Sequence, residues 1–239
     1  MKVELGKIGS ITHGVVLNRV KSTSHDEAVL FPLLTISRLL QEEEGFVPEQ
    51  DMMFPVSKNK VSNLRLAKAG MIVIGLTSFH KAAVLTEEHE GMIISSNFLI
   101  LEFPGGIMDP HYFAWYFNEH PDMKRMRETV INGEGKVKVL SIRLIRELKI
   151  SVPDLVMQMS IGNLYALQVE KERLWKEKLR LEKDVLSLHM TKLTATDMEN
   201  RETLQEMKNR QSVLDAKLSE IERKKNIYKE ELKLFASFE

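Results

Sequence analysis

Three residues have the types and the order of a metal-dependent nuclease site: Asp122, Glu134 and Lys136. In such sites an acid and an acid-x-Lys motif hold Mg²⁺ and position a water molecule. The chemistry requires Glu134 and Lys136 on a strand beside the Asp122 carboxylate. Here Glu134 stands between Gly133 and Gly135, which indicates a loop, and the pattern is common by chance. Nuclease activity is therefore a minor hypothesis.

Other catalytic patterns fail at specific positions. A P-loop has Gly five residues before its Gly-Lys pair and Ser or Thr after it, but Val130 and Val137 occupy those positions. The segment 87–90 combines carboxylates with His89 but lacks the i, i+4 His pair of a zinc helix, so a solvated turn is favoured. Cysteine is absent, which excludes thiol catalysis and disulfides. We expect no catalytic residue, no cofactor and no metal.

Composition indicates a globular protein, because 43% of the 239 residues are apolar. No apolar run is long enough for a membrane span, and the N-terminal residues lack a signal-peptide core. We expect a cytoplasmic protein that makes no contact with a membrane. The 34 basic and 34 acidic residues balance, with 18 against 19 in residues 1–157 and 16 against 15 in 158–239. This balance counts mildly against a stand-alone DNA binder.

The distribution of proline and glycine divides the chain. All seven prolines and every glycine but Gly162 lie in residues 1–157. Apolar runs after turn residues predict strands in this half, and Pro110 with Asp109 as N-cap predicts the start of a helix. The aromatic residues of that helix are predicted to be core. We therefore predict an α+β fold with a mixed sheet for residues 1–157. The other predicted elements are strands at 31–36, 71–74, 92–94, 98–103 and 149–152 and helices near 37–41 and at 142–148.

Residues 158–239 are predicted to be helical. Apolar residues recur there at three-, four- and seven-residue steps, which is typical of a coiled coil. Thr196 with Glu199 fits a capping box, so a new helix can begin there. We favour an antiparallel hairpin of two helices, and one continuous helix is the alternative. The heptad residues predicted to bind a second copy or another partner are Leu174, Leu181, Leu188, Leu204, Met207, Leu214, Leu218, Ile221 and Leu232.

Several segments of the first half, in this order, resemble the DNA target-recognition domain of the specificity (S) subunits of type I restriction-modification enzymes. They include Leu33-Leu34-Thr35-Ile36-Ser37, Ala69–Ile74, Ile94–Leu101, Asp109–Asn118, and Leu148–Pro153 followed by Gln158. Each segment is weak alone, whereas their order and spacing together are fairly specific. Met71 replaces a common Asp of the family, and the helical tail is about twice the length of one usual spacer.

The resemblance implies a non-catalytic subunit that reads one half of a bipartite site in double-stranded DNA. Its helices would dock a DNA adenine methyltransferase subunit, and a motor subunit would act in the same complex. The chain resembles a half-subunit with a single recognition domain, so self-association would restore two-fold symmetry. The alternative is a coiled-coil scaffold or regulator that does not read DNA.

DNA contacts need side chains that reach phosphates or base edges. Loops rich in such residues occur near 18–25, 57–60, 77–81 and 132–138, and we expect the last two to contribute most. The predicted DNA-binding residues are Arg19, Lys21, Lys58, Lys60, Thr77, Ser78, His80, Lys81, Asn132, Lys136 and Lys138.

Overall fold

The structure is a computed structural model that describes residues 2–23, 28–45, 50–77, 80–131, 142–192 and 199–236. Its contacts divide the chain into two compact units. The first comprises Met1–Leu40 and Pro48–Tyr165, and the second comprises Gln41–Val47 and Ala166–Glu239. The domain boundary that composition placed after residue 157 stays a prediction. Among the described residues, no helix is both long and apolar enough to cross a membrane.

Strands and short helices alternate through the first unit, which confirms the predicted α+β class. The strands are β1 (Lys2–Glu4), β2 (Ser10–His13), β3 (Ala28–Leu34), β4 (Met53–Ser57), β5 (Ile72–Gly75), β6 (Ala82–Val84), β7 (Ile93–Ile94), β8 (Phe98–Glu102) and β9 (Lys149–Ser151). The helices are α1 (Leu5–Ile8), α2 (Leu17–Val20), α3 (Ile36–Glu43), α4 (Pro110–Glu119), α5 (Pro121–Ile131) and α6 (Ile142–Glu147). Three-residue-per-turn (3₁₀) helices cover Lys58–Asn63, Glu87–His89 and Pro104–Gly106.

A sheet with the strand order β2–β8–β5–β6 lies at the centre of the first unit, and its neighbouring strands run antiparallel. Strand β8 is buried on both faces, since Leu99 and Leu101 join one apolar cluster while Phe98 and Ile100 join another. A strand covered on both faces reads as a continuous apolar run rather than an alternating one. This explains why 98–103 could be identified as a strand from sequence.

A second sheet, with the order β4–β3–β7, carries an edge strand that contains proline. Pro55 pairs with Leu30 in register, and proline is tolerated in strands mainly at such edges. Strand β3 pairs antiparallel with β4 but parallel with β7, so the sheet is mixed as predicted.

Helix α4 begins where the sequence indicated. The Asp109 side chain accepts a hydrogen bond from the Tyr112 amide at 2.7 Å, and Pro110 follows as the first helical residue. The helix then buries four aromatic side chains against the central sheet, which confirms that this run is core. The buried rings are Tyr112, Phe113, Tyr116 and Phe117.

The ends of the first unit meet in a small sheet of β1 and β9, where Val3 pairs with Ile150. Helix α7 (Leu155–Lys192) follows, and residues 155–165 of it belong to this unit. Gln158 is 1% exposed, and its buried carboxamide is satisfied because it accepts from the Asp109 amide at 2.9 Å and donates to the carbonyls of Ile107 and Pro153.

The second unit consists mainly of the rest of α7 and of α8 (Glu199–Ala236), which pack antiparallel. Lys171 bonds Glu222 and Lys178 bonds Asp215, both at 2.5 Å. The partner numbers fall along α8 as they rise along α7, so the two helices run in opposite directions. The antiparallel arrangement of two helices that the sequence favoured is therefore confirmed, and one continuous helix is wrong. Thr196 of the predicted capping box lies outside the described residues.

The predicted heptad residues pack between α7 and α8 of the same chain. Leu174, Leu181, Leu214, Leu218 and Ile221 form one buried cluster, and Met207 packs against it. Leu188 and Leu232 are half-buried, and the side chain of Leu204 is outside the described part. The structure thus pairs these residues within one chain, whereas their use in binding a second chain stays a prediction.

Candidate nucleic-acid interface

The first two candidate loops lie side by side. Lys21 forms an isolated antiparallel bridge with Val56, and the Ser22 amide donates to the Pro55 carbonyl at 3.1 Å. Helix α2, which carries Arg19, consequently contacts the 3₁₀ helix that carries Lys58 and Lys60. Two basic segments separated by more than 30 residues in the sequence thereby form one surface, which we call the α2 basic surface: Arg19, Lys21, Lys58 and Lys60.

Three of the four basic side chains of the α2 basic surface have no acidic partner among the residues that the structure describes. Arg19, Lys21 and Lys58 are exposed, and Lys60 is half-buried. Within the described ranges, no carboxylate forms an ion pair with Arg19, Lys21 or Lys60. Positive side chains that lack acidic partners produce a positive potential that attracts anions such as phosphate.

The distribution of acidic residues along the sequence explains this surface. The stretch 52–86 contains no Asp or Glu, although the chain average of 34 in 239 would give about five in such a length. It contains five basic residues, two of which were not among the candidates. They are Lys58, Lys60, Arg65, Lys68 and Lys81. Charge counted over whole halves hid this asymmetry, because the acids are concentrated elsewhere.

Arg65 lies close to the beginning of α2 in the backbone network. The Ile94 amide donates to the Arg65 carbonyl, and the Ile94 carbonyl accepts from the Val15 amide, both at 2.8 Å. Arg65 and Lys68 are exposed. Arg65 therefore extends the set of basic residues near the α2 basic surface.

The third candidate loop joins β5 to β6 at one end of the strands of the central sheet. The register pairs His13 with Leu99 and Gly75 with Phe98, so β2 ends, β5 ends and β8 begins at this end of the sheet. Thr77, His80 and Lys81 are half-buried here, and Ser78 lies outside the described residues. The segment that leads to α2 and the β5–β6 turn therefore both leave the sheet at this end.

His80 has an unusual backbone conformation in this turn. Its φ of 41° lies in the left-handed region, and its amide donates to the Thr77 carbonyl at 3.2 Å. A non-glycine residue in this region is uncommon and carries a conformational cost of order 1 kcal/mol. Such a conformation persists where neighbouring contacts favour it, and the bond from the His80 amide to the Thr77 carbonyl is one of them.

The fourth candidate loop cannot be assigned a place. Asn132, Lys136 and Lys138 all lie outside the described residues. The same holds for Glu134 of the nuclease pattern. Asp122, its third member, bonds Lys2 at 3.0 Å, and this hydrogen bond lowers the pKa of the Asp122 carboxyl.

The segment 87–90 differs in part from the solvated turn expected. Glu87–His89 is a 3₁₀ helix in which His89 is 4% exposed. The His89 Nδ1 accepts from the Thr86 amide at 3.1 Å, so His89 completes a capping box. Within the described part of the chain, no three metal-ligand side chains gather in one place.

The fold is similar to two solved structures of type I restriction-modification proteins. One is a chain from a structure described as the basis of complex assembly and conformational transition of the type I R-M system. It is 14% identical, with a TM-score of 0.53, over 81% of this chain and 48% of that chain. The other is the HsdS subunit from Thermoanaerobacter tengcongensis. It is 14% identical, with a TM-score of 0.51, over 80% of this chain and 47% of that chain.

The present chain therefore spans about half the length of these structures. No protein-family model matches the sequence, and no curated protein sequence matches it. The likeness lies in the fold, which includes a mixed α+β unit and long helices. The resemblance noted in the sequence is confirmed at this level, and the chain has the fold of the specificity subunits of type I restriction-modification systems.

Proposed function

We propose that this chain is the DNA-recognition subunit of a type I restriction-modification complex, without catalytic activity of its own. The observation that carries the proposal is the α2 basic surface, present in a chain with the specificity-subunit fold. Zero net charge is compatible with DNA binding when basic residues gather on one surface. Phosphate contacts from Lys and Arg supply much of the affinity for DNA and do not depend on sequence.

Base discrimination is assigned to the Thr77–Lys81 turn. Hydroxyl, imidazole and ammonium groups reach base edges in the major groove, where each base pair presents a distinct pattern of donors and acceptors. Thr77, His80 and Lys81 offer these three groups. The α2 basic surface would hold the phosphates while the turn reads the sequence.

The length relationship suggests how a complete site would be read. The chain spans about half of the related structures, and it contains one mixed α+β unit. Two copies related by a two-fold axis would read a bipartite target whose halves are inverted repeats. Self-association is therefore part of the proposal.

The helices are proposed to dock a DNA adenine methyltransferase subunit, with a motor subunit in the same complex. Helix α7 leaves large apolar side chains in solvent, with Trp175 50%, Leu179 52% and Leu186 58% exposed. Exposed apolar residues that recur along one helix are typical of a protein-binding surface. A scaffold or regulator would use the same surface without binding DNA.

The test is binding of the full-length chain to duplex DNA as a function of salt. We expect affinity to fall steeply with salt, and Lys21→Glu and Lys60→Glu to make the slope of log K against log[salt] shallower by about 1 each. Lys217→Glu is the matched control, because Lys217 is an exposed lysine of α8 and the charge change is identical. Equal slopes for all three variants would contradict the proposal, and absence of binding at low salt would favour the scaffold.

A further inference from the structure

The side chain of Asn118 forms a bidentate pair with the backbone at the start of β6. Its Oδ1 accepts from the Ala82 amide at 2.9 Å, and its Nδ2 donates to the Ala82 carbonyl at 2.8 Å. Asn118 lies in the last turn of α4 and is 5% exposed. A buried carboxamide with these two bonds joins α4 firmly to one residue of the sheet.

The pairing of β5 with β6 explains why Ala82 needs such a partner. The Gly75 amide donates to the Lys81 carbonyl at 3.2 Å, so Lys81 faces β5 with its backbone groups. Adjacent residues of an antiparallel strand direct their amides and carbonyls to opposite sides. Ala82 therefore directs its amide and carbonyl away from β5, at the outer edge of the sheet. Asn118 satisfies both groups as a neighbouring strand would.

A third hydrogen bond fixes the orientation of the Asn118 carboxamide. Its Nδ2 also donates to the Tyr165 hydroxyl oxygen at 2.9 Å. Tyr165 is half-buried and belongs to the part of α7 that packs within the first unit. Both Nδ2 hydrogens are then used, which is a well-defined state for a buried amide.

We propose that Asn118 and Tyr165 are positioning residues that set the described residues of the Thr77–Lys81 turn, which are Thr77, His80 and Lys81, for reading DNA sequence. This proposal rests on the proposed function. Ala82 directly follows the turn, and the strained φ of His80 requires that the ends of the turn be held. Hydrogen bonds to base edges need donor–acceptor distances near 2.7–3.2 Å, whereas attraction to phosphates extends over about 10 Å in salt. Loosening the turn therefore lowers discrimination between sequences more than overall affinity.

The experiment uses full-length protein and a library of duplex DNA with randomised sequence. Bound duplexes are sequenced to obtain the enrichment of the preferred sequence over the library mean. Tyr165→Phe removes the hydroxyl oxygen that accepts the hydrogen bond from the Asn118 Nδ2. Tyr112→Phe is the matched control, because it removes a hydroxyl that donates to the Ser151 carbonyl at 2.8 Å in the same unit. Salt dependence of binding is measured on the same proteins.

We expect Tyr165→Phe to reduce the enrichment about fivefold, the equivalent of one ordinary hydrogen bond, with an unchanged salt slope. Tyr112→Phe should keep the wild-type enrichment. Equal enrichment in both variants and the wild type would overturn the positioning role while the proposed function stands. A wild-type chain that binds DNA with no enriched sequence, or does not bind it, would overturn both.

Amide hydrogen exchange provides a readout that is independent of DNA. In Asn118→Ala the Ala82 amide loses its acceptor, so its exchange should accelerate about tenfold or more relative to amides of β8. This comparison within one protein holds even where Asn118→Ala is less stable as a whole. Uniform acceleration across the sheet would contradict the local role of Asn118.

Discussion

Gly162 of α7 lies directly against Asp109, the N-cap residue of α4. A Cβ atom at position 162 would lie 2.8 Å from the Tyr112 amide nitrogen and even closer to the Asp109 carboxylate. Four residues earlier on the same helix, Gln158 accepts from the Asp109 amide. The last glycine of the chain is thus the point at which α7 crosses the beginning of α4.

Gly162→Ala is expected to destabilise the protein by about 1–3 kcal/mol, because the added methyl group overpacks the contact with the N-cap. Intrinsic helix propensity alone predicts the opposite, a gain of about 1 kcal/mol. Urea unfolding followed by circular dichroism measures the difference. Asn163→Ala, on the adjacent half-buried position, is the control. A stabilised Gly162→Ala protein would show that the two helices separate easily at this point.

Local sequence signals predicted the elements that depend on neighbouring residues. Asp109 and Pro110 determine where α4 begins because the capping bond spans only three residues. The buried strand β8 was recognisable from its continuous apolar run. Contacts between distant segments, such as Val3 with Ile150, leave no comparable local pattern.

The residues of the candidate site could be predicted from local sequence, whereas their spatial arrangement depends on contacts between distant segments. Lys21 and Lys60 were identified as loop cations, but their proximity depends on the pairing of Lys21 with Val56. Arg65 was missed because charge was counted over whole halves, although the acid-free stretch is visible in the sequence. The heptad pattern likewise identified Leu174 and Leu218 without showing that their contact lies within one chain.

Arg210→Ala should destabilise the helical hairpin. The Arg210 Nη2 lies 2.6 Å from a carboxylate oxygen of Glu177, whose side chain is only 6% exposed. Removing the guanidinium leaves a buried charge without its partner. We expect a loss of about 1–3 kcal/mol, since Arg210 itself is half-exposed.

A double-mutant cycle gives the control for this ion pair. Combining Arg210→Ala with Glu177→Gln removes the buried charge, so the double variant should recover part of the lost free energy of unfolding. Arg223→Ala, at an exposed position of α8, should change stability by less than about 0.5 kcal/mol. Strictly additive effects of Arg210→Ala and Glu177→Gln on the free energy of unfolding would contradict a direct interaction.

Lys225→Met is expected to leave the hairpin as stable as the wild type or to stabilise it. Burial, together with the nearby Lys171, lowers the pKa of the Lys225 ammonium below its usual 10.5. Its amine bonds the Gln168 carboxamide, but a desolvated cation in a helix interface is costly.

The pH dependence gives this prediction a sign. Because the folded pKa of Lys225 is lower than the unfolded one, the folded state releases its proton first as pH rises. The cost of the charge is full below the folded pKa and disappears as pH rises to 10.5. The stability of the wild type relative to Lys225→Met should therefore increase towards pH 10.5. A difference that is constant with pH would show that Lys225 is solvated in the folded state.

In the proposed function, this chain selects a DNA sequence for a methyltransferase. The most direct measurement is co-expression with a DNA adenine methyltransferase subunit in a host free of adenine methylation, followed by genome-wide detection of modified adenines. We predict methylation at a bipartite motif whose two halves are inverted repeats, and its loss when Lys21 and Lys60 are both changed to Glu. A methyltransferase that copurifies with the chain but leaves no motif in the genome would contradict the claim.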